Sequence, residues 1–367
     1  MRSKKILLLN WRDKKNSLAG GAEYFAHEIS TQIISNGGEV IFFTCRERKT
    51  LSFEIIDGIK IYRKGNFITV YFWAFFYYVL YFRKKIDTII DCHNGIPFFT
   101  PLYSRKKIIL VVHHVHQYFF LKENKNIFVG VIGFLLESIL MRDVYKNTPV
   151  IAVSPSTKAD LIEKIGFIST NIIVAYNGIN SSFAKGIHRI KKEKGLIIYL
   201  GRLKKHKHID HLISATELLV ENMVTVKVII VGTGDEEENL KKMVKEKKLE
   251  NIITFTGYVS EERKWYFLKK AHIIVNPSGY EGWGISIVEA AYANTPAVTS
   301  NVPGLRDVVE DGVTGSLYKF GDVKDLSSKI QYIIENNNVW KLLSQNAHKK
   351  SLRYTWQGTY ESIKPLL

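Results

Sequence analysis

The chain is poor in several things at once. Its 367 residues include only two cysteines, Cys45 and Cys92, and neither sits in a CxxC pair. That excludes a disulfide framework and fits a reducing cytoplasm better than secretion. Prolines number eight, and no low-complexity tract occurs, which excludes collagen and disordered linkers. No apolar run reaches the ~20 residues of a spanning helix. The longest, Phe67–Phe82, has sixteen residues and ends at Arg83-Lys84-Lys85. Near the amino end only Ile6-Leu7-Leu8-Leu9 are consecutively apolar. That is too few for a signal-peptide core, so a first strand is expected there. Acidic residues are the minority, 35 against 52 basic, for a net charge of +17.

Such a field favours an anionic partner. The basic residues are scattered in triplets, including Arg105-Lys106-Lys107, with no zinc-finger spacing, RNA-binding aromatic motif or basic zipper. A phosphorylated small molecule or an anionic membrane surface is therefore expected in preference to nucleic acid. The aromatic run Phe67–Phe82 is expected first as a helix buried in the fold, and second as one lying at a membrane interface.

Apolar strand-like segments alternate with helical ones. Lys5–Leu9, Val40–Thr44, Thr88–Asp91, Lys107–Val112, Val150–Val153 and Ile172–Ala175 form one series. Leu196–Leu200, Val226–Val231, Ile252–Thr256, Ile273–Asn276 and Ala297–Thr299 form a second. Near-continuous apolar strands between helices predict parallel sheets covered on both faces. Glu23–Ile34 reads as an amphipathic helix, with Phe25, Ile29 and Ile33 on one face. Asn177-Gly178 through about Gly195 is turn-rich and polar, and the alternation restarts after it. The expected class is α/β: two Rossmann-like domains facing across a cleft, residues 1–185 and 186–351.

The densest motif is Ser278-Gly279-Tyr280-Glu281-Gly282-Trp283-Gly284, running into Ile285-Ser286-Ile287-Val288-Glu289. It follows a strand and opens a helix. Gly282 and Gly284 admit close backbone approach, and the helix N-terminus offers free N–H groups to an anion. Glu281 and Glu289 can both accept from vicinal hydroxyls of a sugar or ribose. After the strand Leu196–Leu200 comes Gly201-Arg202-Leu203-Lys204-Lys205-His206-Lys207. Arg202 and Lys207 are placed to neutralise a diphosphate; Lys204 and Lys205 are expected to face solvent. Gly232-Thr233-Gly234 lacks the third glycine of a dinucleotide fingerprint and precedes acids, so it is read as a tight turn. Gly20-Gly21 opens the first helix, where close ligand approach and tight loop packing are equal explanations. His113, His114 and His116 follow a strand end; hydrogen bonding to a polar substrate is preferred, a structural role comes close behind, and no partner spacing supports metal ligation. His93 and His272 are read as satisfying local loops.

Together these residues resemble glycosyltransferase family 4, retaining enzymes of the GT-B fold, over nearly the whole chain. Asn294-Thr295-Pro296, Val302-Pro303-Gly304-Leu305 and Glu310-Asp311-Gly312 add to the Glu-x7-Glu and Gly-Arg-Leu-x3-Lys elements. The resemblance implies transfer of a hexose from a nucleotide-sugar to an acceptor hydroxyl; the aromatic run Phe67–Phe82 and the basic first domain suggest that the acceptor is lipid-linked or a cell-surface glycan precursor. The resemblance also implies that Arg202 and Lys207 hold the donor diphosphate, Glu281 the sugar, and Glu289 the ribose. Gly20 and Gly21 would approach the phosphate from the other domain, and Val259 would lie near the base. Gly201, Gly282, Trp283 and Gly284 would complete the donor-binding set. One of His113, His114 and His116 would touch the sugar. The last helix, within about 352–367, would cross back to the first domain. Three positions depart from the pattern: His208 and Asn294 replace common glycines, and His272 replaces a frequent aspartate. No cofactor and no metal are expected, since no Asp-x-Asp motif occurs. The expected location is the cytoplasm, with peripheral contact on the cytoplasmic face of a membrane. Two other readings are a nucleotide-sugar epimerase of the same architecture and a non-catalytic binder of nucleic acid or anionic surfaces. A dinucleotide oxidoreductase is the weakest.

Overall fold

The computed structural model describes residues 4–122, 127–186 and 190–367. It divides into two compact units: Met1–Gly178 with Trp356–Leu367, and Ile179–Thr355.

The first unit is built on strands β1 (Lys5–Leu9), β2 (Glu39–Thr44), β3 (Phe53–Ile56), β4 (Ile59–Arg63), β5 (Thr88–His93), β6 (Lys107–Val112), β7 (Val150–Ala152) and β8 (Ile172–Val174). Their order in the sheet is β3-β4-β2-β1-β5-β6-β7-β8, and all pairs are parallel except β3 with β4. That antiparallel hairpin escaped the sequence reading although its signal was present. Asp57 and Gly58 both adopt positive φ, 51° and 80°, as a two-residue hairpin turn requires.

Continuous apolar strands arise because helices cover both faces. Leu7 and Leu9 pack with Val70, Ala74 and Met141 on one side. Ile6 and Leu8 pack with Phe25, Ile29 and Trp356 on the other. The terminal helix Trp356–Ile363 thus belongs to the first unit's core. Its Thr359 hydroxyl donates to the Tyr176 carbonyl at 2.6 Å, and Lys4 Nζ reaches the Leu367 carbonyl at 2.5 Å.

The expectation of a buried Phe67–Phe82 is corrected. The segment forms the helix Val70–Tyr77 and a π-helical turn Tyr78–Phe82. Only Val70, Ala74, Tyr78 and Phe82, one stripe at four-residue spacing, are buried against the sheet. Phe72 and Leu80 are 66% and 68% exposed. A segment apolar all round carries no amphipathic signal, so its sequence could not say which face the sheet would leave uncovered.

The second unit carries β9 (Leu196–Leu200), β10 (Lys227–Val231), β11 (Ile253–Gly257), β12 (Ile273–Asn276), β13 (Ala297–Ser300) and β14 (Gly315–Tyr318). The order is β11-β10-β9-β12-β13-β14, all parallel. The helix Ser182–Gly186 joins this unit rather than the first, because Lys269 Nζ donates to the Ala184 carbonyl at 2.6 Å. Helix Ile209–Glu221 begins despite the histidine that replaces glycine: His208 takes φ +47°. Asn294 takes φ +57° just past helix Ile285–Tyr292, the left-handed conformation that ends helices. His272 stacks on Trp340 with ring centroids 5.0 Å apart.

Candidate functional site

In the second unit, the direction in which strands are added reverses between β9 and β12. The carboxyl ends of strands at such a reversal open a crevice where ligands of α/β sheets bind. The loop after β9 carries Arg202 and Lys207; the loop after β12 carries Glu281. Lys207 Nζ meets Glu281 Oε1 at 2.6 Å, and Ser278 Oγ and Asn276 Nδ2 donate to the same oxygen at 3.1 and 3.3 Å. Burial opposes ionisation of Glu281. The Lys207 ammonium and these hydrogen bonds outweigh it and hold the carboxyl below its ordinary range. Arg202 is exposed and forms no salt bridge among the described residues. Between the two cations, His206 is pushed down to about 4, chiefly by burial and then by Lys207.

The loops are braced by backbone contacts that only glycine permits. A Cβ on Gly232 would lie 1.9 Å from the Gly201 carbonyl oxygen, and one on Gly234 would lie 2.0 Å from that of Leu203. The Gly-Thr-Gly turn therefore seats the Arg202–Lys207 loop, with Leu203 N donating to the Thr233 carbonyl at 2.9 Å. Lys204, expected in solvent, is half-buried and pairs with Asp235 at 3.0 Å. Lys205 is exposed. Gly279 N donates to the His206 carbonyl at 2.9 Å, tying one loop to the other.

Helix Ile285–Tyr292 starts from Gly284 at φ +105°. Its first N–H groups have no carbonyl within the helix to pair with. Glu289 is buried on it and pairs with Lys264 at 2.6 Å; Lys264 also holds Glu261 at 2.8 Å. Burial pushes the Glu289 carboxyl up, an effect Lys264 reduces without cancelling. Trp283, expected in the donor-binding set, has its side chain in the interior at 3% exposure, edge-on to Tyr354. A large apolar ring gains more from packing than from a polar ligand, so only its backbone is left for that role. Val259 is half-buried between β11 and the cap Ser260 of helix Glu261–Lys270.

In the first unit, the strand order reverses between β1 and β5. The Gly20 N–H donates to Glu23 Oε2 at 2.7 Å, and Glu23 Oε1 accepts from Asn94 at 2.9 Å and Arg12 at 3.2 Å. A buried carboxylate thus joins the loops after both strands. A Cβ on Gly20 would meet only Glu23 Oε2, at 3.7 Å, so packing does not demand glycine there. Gly21 opens the helix Gly21–Ser35.

The histidines meet a residue the sequence reading missed. Glu137, fully buried on the π-helical turn Leu136–Leu140, accepts the His116 N–H at 2.7 Å and lies 3.0 Å from His93 Nε2. Burial opposes its ionisation, but His116 and His93 outweigh it and draw the carboxyl down to about 2. The His114 ring lies tilted against that of His116, 3.7 Å between centroids. His113 is buried edge-on to Phe25, and its Nε2 has no hydrogen-bond partner among the described residues. Burial, then His93 and His116, push it down to about 3, so it is neutral. His93, His116 and Glu137 lie close enough together, within 4.8 Å, to hold a divalent ion. The signal for Glu137 was its isolation, a single acid in Ile127–Met141; π-turns recur at functional sites.

Two parallel α/β units, with cationic and acidic side chains at the reversal point of the second, define the GT-B class of glycosyltransferase. The family description "Glycosyltransferase Family 4" matches residues 19–183, and "Glycosyl transferases group 1" matches 180–350. The chain belongs to this glycosyltransferase family. It is 24% identical to an uncharacterised glycosyltransferase of Methanocaldococcus jannaschii, covering 96% of this chain and 95% of the relative. The fold matches sucrose-phosphate synthase of Thermosynechococcus elongatus with a TM-score of 0.82 at 18% identity, covering 99% and 98% of the two chains. It matches Anabaena HepE, solved with UDP and glucose, with a TM-score of 0.76 at 18% identity and the same coverage.

Proposed function

We propose that the protein moves a hexose from a nucleotide-sugar to an acceptor hydroxyl with retention at the anomeric carbon. The acceptor is a lipid-linked carrier or a surface-glycan precursor. The observation that carries this reading is the Lys207–Glu281 pair at 2.6 Å, with Arg202 on the same loop. An ammonium has three donors, so Lys207 can hold Glu281 and still reach phosphate oxygens. The solution of HepE with UDP-glucose supports a nucleotide-sugar donor.

In the proposed reaction the bond between the anomeric carbon and the donor phosphate oxygen breaks, and its electron pair passes to the diphosphate. Arg202, Lys207 and the N–H groups at the start of helix Ile285–Tyr292 neutralise that charge as it grows. Fixed donors of this kind are each worth ~3–4 kcal/mol. Glu281 holds hydroxyls of the sugar as it flattens toward an oxocarbenium ion, and Glu289 takes the ribose diol. The acceptor oxygen bonds on the face the diphosphate leaves, and its proton departs with the diphosphate. These side chains supply the charge in this reading, which takes the reaction to be cytoplasmic.

Screening nucleotide-sugars by thermal shift identifies the donor, since a ligand of the native state raises the melting point. Arg202→Ala and Lys207→Ala are then assayed with that donor in EDTA. A loss of about 100-fold or more in each is expected. Turnover at the wild-type rate in both would overturn the assignment. The anomeric configuration of the product, read by NMR coupling, tests retention.

A further inference from the structure

Two helices on one side of the first unit's sheet turn apolar side chains outward. On the segment from Val70 to Phe82 these include Phe72, Trp73, Phe76 and Leu80. The second, Ile127–Leu135, is a surprise of the structure. Its buried residues are two glycines, Gly130 and Gly133. Phe128 is 76% exposed, and Ile127, Ile132 and Leu135 are exposed as well. Gly133 lies against the Phe120 ring so closely that a Cβ would meet it at 2.5 Å. The helix therefore presses its bare backbone inward and its side chains outward, the reverse of an ordinary surface helix. Both helical segments lead into one core cluster, through Ala74 and Tyr78 on one and Met141 and Tyr145 on the other. They therefore share one layer over the sheet.

Apolar side chains exposed on this scale mark an interaction surface. The charge around it selects the partner. The segment from Val70 to Phe82 runs directly into Arg83-Lys84-Lys85, and residues 64–86 contain four basic and no acidic side chains. Arg83, Lys84, Lys85 and Arg105 are exposed. Exposed aromatic and aliphatic residues followed at once by exposed cations fit the boundary of an anionic bilayer, where rings sit at headgroup depth and cations meet phosphates. No helix among the described residues is long and apolar enough to cross a membrane.

We infer that the face formed by the helices Val70–Tyr77 and Ile127–Leu135 docks the protein onto an anionic lipid surface. Helix Ile127–Leu135 inserts its apolar side chains, and Arg83–Lys85 binds headgroups. The docking needs no donor or acceptor, so it stands or falls apart from the proposed transfer.

The test is flotation of the full chain with vesicles of phosphatidylcholine alone or with 30 mol% phosphatidylglycerol, together with Phe128→Glu/Ile132→Glu and Phe76→Glu/Leu80→Glu. Circular dichroism melts check folding. Binding to the anionic vesicles is expected, at least tenfold tighter than to neutral ones. Each double variant is expected to lose at least tenfold while melting like the wild type. For the unmodified chain, brominated lipids are expected to quench fluorescence, and Trp73→Phe to remove most of that quenching. The inference is overturned by absence of binding, by binding the variants leave intact, or by the absence of quenching. A dimer that Phe128→Glu/Ile132→Glu makes monomeric would assign the face to a second copy and overturn it too.

Discussion

The Glu289 carboxylate is already occupied, by the Lys264 ammonium at 2.6 Å. In the proposed function, a ribose would therefore share that carboxylate with an internal cation. Because Lys264 also holds Glu261, Glu289→Ala leaves it paired and should cost little stability. Affinity for the nucleoside diphosphate should fall about tenfold, the worth of one hydrogen bond to a charged group. Affinity for the 2′,3′-dideoxy analogue should not change. Calorimetric titration of both ligands checks this, and an equal loss for both would make Glu289 a purely structural residue.

Lys207→Met removes the cation from Glu281 and leaves a carboxylate with only 19% side-chain exposure. Since the pair is not fully buried, the cost should be about 2–3 kcal/mol, below the ~3–5 of a dry site. Adding Glu281→Gln should recover part of it. A double-mutant cycle by urea unfolding is expected to show coupling of at least ~1 kcal/mol. Simple additivity would mean that the pair does not act as a unit.

Acidification should reveal the same pair. Glu281 sits below its ordinary 4.5 in the folded chain. Its stabilising contribution is therefore complete above that value and is lost as pH falls through the lower, folded one. The stability gap between wild type and Glu281→Gln should stay constant from about pH 8 to 5.5 and close below about 4.5. Urea midpoints at several pH values give the answer; a gap that widens in acid has the wrong sign.

Gly304 supports the Glu281 loop by having no side chain. At φ +80° its Cβ would lie 2.2 Å from the Glu281 carbonyl oxygen. Gly312, at φ +72°, has open space around it. Gly312→Ala should cost only the left-handed backbone penalty of ~1–2 kcal/mol, whereas Gly304→Ala should cost more and depress transfer as well. Equal melting points and activities would remove the loop from the argument.

Glu137→Ala strips the partner from the half-buried His116 backbone N–H and empties a space between His93 and His116. A loss of ~2–4 kcal/mol is expected, from an unsatisfied donor and a cavity. Glu137→Gln keeps an acceptor and should recover about half of it. Thermal melts of the two variants separate hydrogen bonding from shape.

Much of the chain was legible because its signals are local. Continuous apolar strands announced buried parallel sheets, and glycines beside Glu281 announced a loop pressed close to something. His208 and Asn294 held the left-handed positions of absent glycines because a turn's geometry, rather than a residue's name, is what the chain must satisfy. Partnerships across the sheet were not legible. Lys264 lies 25 residues from Glu289, and Glu137 lies 44 from His93. Nothing in either segment encodes the neighbour that strand order brings to it. The exposed face of Phe67–Phe82 was equally hidden, since a segment apolar on every side leaves the choice of buried stripe to packing. The sequence by itself determined which segments become strands, helices and tight turns, because those depend on contacts within a few residues. Tertiary structure alone decided which charges meet and which apolar faces stay uncovered, because those depend on distant segments competing for the same side of a sheet.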